Sequence, residues 1–257
     1  MHPSNLPAWK RSVARAFDGA EGYDAAALVQ AQAAERLAAA IAREPLAAAP
    51  RILEVGCGTG LLTAALRARQ AGPMIASDIA PAMAARCRAR FAGDPDLRVL
   101  VMDGERPCLA PGFNLICSSL AAQWFADLPG ALARLAALLA PGGLLAVATL
   151  AEGTFREWHA AHATLGFAAG TPAYPPAEAL GTLRYPGCTT RLSLDPIAET
   201  HADGRAFLAA LRAIGAQTPL AGATYTPGTL RRLLRRFDAD GARVTYVIAT
   251  LMIRRLG

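Results

Sequence analysis

Residues Ile52 to Leu61 read Ile-Leu-Glu-Val-Gly-Cys-Gly-Thr-Gly-Leu: a short apolar strand carrying one acid, Glu54, then a turn with glycine at every second position. Glycines in such a turn let the backbone approach a ligand closely, because no Cβ intervenes. A second apolar run, Met74-Ile75-Ala76-Ser77-Asp78, ends in an acid placed to grip ribose hydroxyls. Together the two segments describe a nucleotide-type pocket.

The spacing separates this pocket from a dinucleotide site. A GxGxxG turn carries a pyrophosphate on a helix N-terminus, whereas Gly56, Gly58 and Gly60 alternate strictly and Glu54 stands two residues before the first. An acid beside the turn repels phosphate and suits a cationic ligand. The stretch resembles motif I of class I S-adenosylmethionine (SAM) methyltransferases. That resemblance implies that the turn Gly56, Cys57, Gly58 and Gly60 passes the amino acid moiety of SAM beside Glu54, and that Asp78 holds the ribose.

The elements that would carry these residues alternate. Ala25 to Arg43 reads as a helix with Asp24 as its N-cap, closed off by Pro45 and Pro50. Strands are predicted at Arg51 to Val55, Met74 to Asp78, Leu97 to Val101, Phe113 to Ser119 and Leu144 to Leu150, with helices from Leu61, from Pro81 to Phe91, and from Pro129 to a terminating turn at Ala140-Pro141-Gly142-Gly143. Such alternation means a parallel α/β sheet wound by right-handed crossovers. Ligands in open parallel sheets bind outside the carboxyl ends of the strands, which makes Gly56, Asp78, Asp103 and Ser118 neighbours. Asp103, followed by Gly104, can accept from the exocyclic amine of adenine, and Ile79 and Met102 would sandwich the base.

After Leu150 the pattern changes. Helices are expected at Glu152 to Leu165 and Asp203 to Ile214, a turn-rich stretch from Gly170 to Gly187, a strand at Thr189 to Leu194, an arginine-dense helix at Thr229 to Phe237, and an alternating last strand at Arg243 to Arg254. The expected architecture is a single Rossmann-like domain over 1–257, with seven strands, mostly parallel, an antiparallel last strand and a helical cap. Its parts are N-terminal helices over the SAM site (1–45), a SAM-binding core (46–150), a cap and substrate region with strand six (151–240) and the final strand (241–257).

Composition narrows the class. The chain has 257 residues, 53% hydrophobic, enough to bury a sizeable core. Charged, Gly or Pro residues interrupt every apolar run before it reaches membrane-spanning length, and the N-terminus lacks the order of a secretion signal, so a cytoplasmic protein without a membrane partner is expected. The five cysteines form no CxxC pair and have no His partner at metal-ligand spacing, so neither zinc nor a disulfide framework is expected. A net charge of +6 favours an acidic partner, and is equally what an arginine-rich proteome produces. A nucleic-acid target is not expected, because a basic stripe interleaved with aromatics is missing.

Methyl transfer from a sulfonium is a displacement with a neutral leaving group, so the protein mainly aligns nucleophile, methyl and sulfur and excludes water. An amine or hydroxyl acceptor needs a base; a carboxylate is already an anion. No Asn-Pro-Pro-Tyr sequence of the amide and base methyltransferases follows the fourth strand. Ser118-Ser119-Leu120-Ala121-Ala122-Gln123-Trp124-Phe125-Ala126-Asp127-Leu128 stands there instead, and resembles the signature of the malonyl-[acyl-carrier protein] O-methyltransferases of biotin synthesis, the BioC family. Phe17-Asp18-Gly19-Ala20-Glu21-Gly22-Tyr23-Asp24 with Val29-Gln30 resembles that family's N-terminal helix pair. Leu150 to Trp158, Phe207 to Ala216 and Val244-Thr245-Tyr246 are similar to its later segments. Alanine in Asp78-Ile79-Ala80-Pro81-Ala82-Met83 where the family often has serine, and a loose Gly19 to Gly22 block, are the departures.

The resemblance implies methylation of the free malonyl carboxylate on a carrier-protein or coenzyme A thioester, with SAM as donor. It places Tyr23 at the junction of SAM and the carboxylate as the catalytic orienting group. Gln30, Ile79, Met83, Asp103, Gly104 and Ser118 join the cofactor site, and Gln123 and Trp124 form the wall facing the acyl group. Arg184 and Arg191 are candidate partners for a carboxylate, and Arg231, Arg232, Arg235 and Arg236 form i, i+4 pairs able to meet an acidic carrier protein. A class I methyltransferase of another small carboxylic acid or a hydroxyl, and a SAM-binding protein without turnover, remain alternatives. No oligomeric state is implied.

Overall fold

The computed structural model describes residues 7–20, 22–216 and 225–257. Glu21 of the N-terminal block, residues 1–6, and 217–224 of the expected cap lie outside the described residues. Helices α1 (Ala8–Asp18), α2 (Tyr23–Ala26) and α3 (Leu28–Ile41) precede an alternating core of β1 (Ile52–Val55), α4 (Leu61–Arg67), β2 (Met74–Asp78), α5 (Pro81–Arg90), β3 (Leu97–Val101), β4 (Phe113–Ser119), α6 (Leu128–Ala137) and β5 (Leu139–Leu150). The remainder is α7 (Arg156–Ala163), α8 (Ala177–Gly181), β6 (Cys188–Thr200), α9 (Gly204–Ala213), α10 (Pro227–Ala239) and β7 (Arg243–Arg255).

The strands form one seven-stranded sheet in the order β3-β2-β1-β4-β5-β7-β6. Parallel pairing runs from β3 to β5, and β7 is inserted antiparallel between β5 and β6. The chain order reverses between β1 and β4, so the crevice at the carboxyl ends of these strands is the topological switch point where α/β sheets bind ligands. Successive residues of β4 feed two cores: Leu115 and Cys117 join Leu37 and Ile41 of α3, while Ile116 between them joins Leu132 and Leu135 of α6, as does Phe113, which lies beyond a register shift.

Three expected elements are corrected. The single helix from Ala25 is broken at Ala27 (φ −88°, ψ 42°), and Asp24 is no cap: it sits in α2, and its carboxylate accepts from Thr59 Oγ1 at 2.5 Å, binding the helix to the glycine turn. Ala140-Pro141-Gly142-Gly143 is not a turn between helix and strand but the bulged start of β5, with Phe113 paired to Leu139 and Leu115 to Leu144. Gly142 at φ +73° and the close approach of Gly143 to the Phe113 carbonyl accommodate the extra residues. Finally, β6 is far longer than Thr189 to Leu194, because β7 offers a continuous partner from Arg243 to Arg255.

Candidate cofactor and acceptor site

The turn after β1 is shaped by the strand beside it. The Gly56 and Cys57 amides both donate to the Ser77 carbonyl, at 2.7 and 2.9 Å, and Gly56, Gly58 and Gly60 adopt φ of +74°, +53° and +91°. A side chain on Gly56 would place its Cβ 2.2 Å from that of Ala121. Asp78 holds the other rim: its Oδ2 accepts from Gly58 N and its Oδ1 from Ala80 N, both at 2.8 Å. Two lone pairs per oxygen leave capacity for ribose hydroxyls.

Glu54 is 1% exposed, accepts from Thr63 Oγ1 at 2.6 Å, and has no cationic partner among the described residues. Burial pushes its carboxyl from 4.5 up to about 8, and burial likewise pushes Asp78 from 3.8 up to about 6 against hydrogen bonds from Ala80 and Gly58. A buried, uncompensated acid is the local request for a cation. The cleft is lined by Glu54, Gly56, Cys57, Gly58, Asp78, Ile79, Met83, Met102, Asp103, Gly104 and Gln30, which the structure thus brings together. Gly60 stands just behind them as the left-handed N-cap of α4.

Ser118 is a correction. Its hydroxyl is fully buried without a partner, and it is Ser119 that lines the cleft. Successive strand residues point to opposite faces, so choosing the wrong member of a serine pair reverses the direction of the side chain. Asp103 stands where expected, with a neighbour the sequence did not suggest. Lys10, 6% exposed, donates to both its oxygens at 2.7 Å and also pairs with Glu105. The signal was the face shared by Lys10, Ala14 and Phe17 at helical spacing. This buried cation fastens α1 over the cleft, assisted by the Ala82 amide donating to Asp18 Oδ1 at 2.8 Å and Arg86 to the Ala20 carbonyl at 2.6 Å.

A second cavity of ≈ 390 Å³ adjoins the cleft. Phe17, Tyr23, Gln30, Leu120 and Trp124 line both, so they form the partition. Trp124, on a single 3-10 turn, meets the edge of Phe17 at 5.7 Å between centroids. Gln123 is held by its Nε2 donating to the Leu120 carbonyl at 2.7 Å, while its Oε1 is buried without a partner. Tyr23 opens α2 and its hydroxyl makes no hydrogen bond among the described residues; burial, then the charges of Asp78 and Asp24, push its pKa upward.

The remaining arginines lie elsewhere. Arg184 is exposed and donates to the Gly181 and Leu183 carbonyls, and Arg191 pairs with Glu44 outside the cavity, so neither is positioned to meet a carboxylate there. Arg231, Arg232, Arg235 and Arg236 are exposed on α10, with Arg236 paired to Asp240 at 3.1 Å, and their helix packs inward through Leu233, Leu234 and Phe237. Arg212, which the sequence reading passed over, lines the second cavity. Its signal was its place one helical turn after Leu208.

Residues 29–183 match a methyltransferase-domain family model. The chain is 39% identical over 241 residues to the malonyl-[acyl-carrier protein] O-methyltransferase of Magnetococcus marinus, covering 91% of this chain and 88% of that protein. The chain belongs to this methyltransferase family. It is also 49% identical over 244 residues to the biotin biosynthesis bifunctional protein BioCD of Bordetella avium, covering 93% of this chain but spanning only about half (51%) of the relative. Among solved structures, a protein from Bacillus halodurans described as a methyltransferase shares the fold at a TM-score of 0.61, 14% identity and coverage of 87% and 99%.

The methyl donor of this methyltransferase is SAM, and the residues present fit it. Glu54 offers a buried acid to the cationic end, the side-chain-free Gly56 leaves room for the ligand backbone, and the unpartnered Ser119 hydroxyl faces the cleft. A cation binding beside Glu54 favours its ionised form. SAM affinity is therefore expected to rise with pH between about 6 and 8, with protons released on binding. For the unliganded protein the sign reverses. A carboxyl whose pKa is raised on folding keeps a proton that the unfolded chain has lost, so stability falls as pH climbs from 4.5 through about 8. Titration calorimetry in buffers of different ionisation enthalpy measures the proton release; an apparent enthalpy independent of buffer would contradict it.

Proposed function

We propose that this protein transfers the SAM methyl group to the free carboxylate of a malonyl thioester carried on acyl-carrier protein or coenzyme A, an early step of biotin synthesis in the cytoplasm. The observation that carries this reading is a missing base. Among the described residues lining the acceptor cavity there is no Asp, Glu, His or Lys, and its phenols, Tyr23, Tyr174, Tyr225 and Tyr246, all have pKa values pushed upward by burial. A hydroxyl or ammonium acceptor would have to pass its proton out of the lining, through Thr171 to His159 or through Tyr225 to His162 behind it, whereas a carboxylate attacks as it arrives. This favours the carboxylic acid reading over the hydroxyl alternative.

In this mechanism Glu54 and Asp78 fix the cofactor, and the glycine turn admits it. SAM supplies the electrophilic methyl group. Tyr23, in the partition and kept protonated, donates to the acceptor carboxylate and orients it; it receives no proton. Phe17, Leu120 and Trp124 exclude water from the junction. Residues 151–240 serve as the substrate cap and 1–45 as the cover of the cofactor. Arg231, Arg232 and Arg235 of α10 meet acidic side chains of the carrier protein, with Arg236 shared with Asp240.

The test is incubation of the protein with SAM and malonyl-carrier protein or malonyl-coenzyme A, read by mass spectrometry. Gain of one methylene unit on the malonyl group, reversed by esterase, is the expected result. Binding of SAM without turnover on either thioester would move the chain to the non-catalytic alternative.

A further inference from the structure

The acceptor cavity holds one cation among its described lining residues, Arg212. It lies in the last turn of α9, whose Leu208 and Leu211 line the same cavity, and its side chain makes no ion pair or hydrogen bond among the described residues. Arg212 is exposed as a whole while contributing to the lining, so it stands at the rim with a stem long enough to follow the apolar wall. The end of α9 docks against the segment bearing Tyr23. A Cβ on Gly22 would lie 3.9 Å from that of Ala213, and Gly215, at φ +71°, abuts the Ala16 carbonyl so closely that a Cβ there would come within 2.9 Å. Arg212 and Tyr23 are thus borne by contacting segments.

An anionic acceptor in an apolar cavity needs a counter-charge. We infer that Arg212 is the carboxylate-recognising residue of the acceptor site. Its guanidinium pairs with the malonyl carboxylate through the oxygen that does not attack, and by doing so selects carboxylate-bearing thioesters over neutral acyl thioesters. This rests on the malonyl reading above and adds product discrimination to it. The attacking oxygen forms the new O–CH3 bond, the S–CH3 bond breaks with its electron pair going to sulfur, and no proton moves. The acceptor thereby changes from anion to neutral ester, and Arg212 loses its partner at the moment the reaction is complete.

The experiment compares the native protein with Arg212→Met, Arg212→Lys and, as a control outside the cavity, Arg184→Met. Two acceptors are used: malonyl-carrier protein and malonyl-N-acetylcysteamine, which has neither a phosphate nor a protein surface. Because a charge-assisted pair is lost, Arg212→Met should raise the acceptor KM by roughly 10- to 100-fold on both acceptors. The SAM KM should stay within about twofold, and Arg212→Lys should restore part of the loss. The methyl ester product should inhibit the native protein weakly relative to substrate, with the two affinities converging in Arg212→Met. An unchanged acceptor KM in Arg212→Met overturns the inference. So does an effect confined to malonyl-carrier protein, which would make Arg212 a carrier contact. Absence of turnover in the native protein is the separate failure of the malonyl reading, and the inference falls with it.

Discussion

Replacing Tyr23 by Phe is expected to lower kcat for the malonyl thioester by about 100-fold or more, since misplacing a reacting group by even ~1 Å carries that penalty. The affinity for SAM should stay within a few-fold. The split follows from where the residue stands. Its ring belongs to the partition between the two cavities, and Phe preserves that wall, whereas its hydroxyl has no partner among the described residues and is free to engage the acceptor. Because burial and the neighbouring acids Asp78 and Asp24 keep the phenol protonated, the loss should persist across the pH range rather than shift a pH optimum. Steady-state methyl transfer combined with calorimetric SAM binding checks both halves. Near-native kcat in Tyr23→Phe would reduce the residue to packing.

Gly56→Val should abolish measurable SAM binding and destabilise the fold. Two costs coincide at this position: a β-branched residue at φ +74°, and a Cβ 2.2 Å from that of Ala121. Backbone strain of this kind costs on the order of 1–3 kcal/mol by itself. The overlap with Ala121 must then be relieved by moving either the turn or the segment after β4, and the turn is held by the Ser77 carbonyl. Gly142→Ala is the informative control. Its φ of +73° is nearly the same, but nothing lies within 4 Å of an added Cβ. It should lose only about 1–2 kcal/mol and bind SAM as the native chain does. Thermal denaturation and calorimetry of the two variants separate strain from collision; equal behaviour would show that the close approach to Ala121 is unimportant.

Much of the cofactor half was legible because its signals are local. The alternation of Gly56, Gly58 and Gly60, the acid at position 54 and the acid ending β2 are all separated by few residues, and strand and turn geometry follow from such spacing without knowledge of the rest of the chain. The same holds for β1 to β4, whose apolar runs match the strands to within a residue. The failures also have local explanations. A serine pair cannot announce which member faces the cleft, since that depends on which residue of β4 pairs with Val147 of β5 and which with Ala148. The bulge at Ala140 to Gly143 carried a turn's composition, and only pairing with β4 made it strand.

The acceptor half was decided by the tertiary structure. Arginine is abundant in this chain, and nothing in the surroundings of Arg184, Arg191 or Arg212 distinguishes them at the level of sequence. The exposed backbone carbonyls beside Arg184, Glu44 facing Arg191 and the docking of α9 against α2 assign them their different surroundings. Lys10 likewise finds Asp103 and Glu105 across more than ninety positions of chain. The sequence by itself determined the parallel core, the glycine turn and the acids that line the cleft beside it, because those depend on short-range periodicity and backbone freedom. Which arginine lines the second cavity, and that no Asp, Glu, His or Lys joins it among the described residues, depended on how distant helices close over the sheet, a matter of long-range packing that no local pattern encodes.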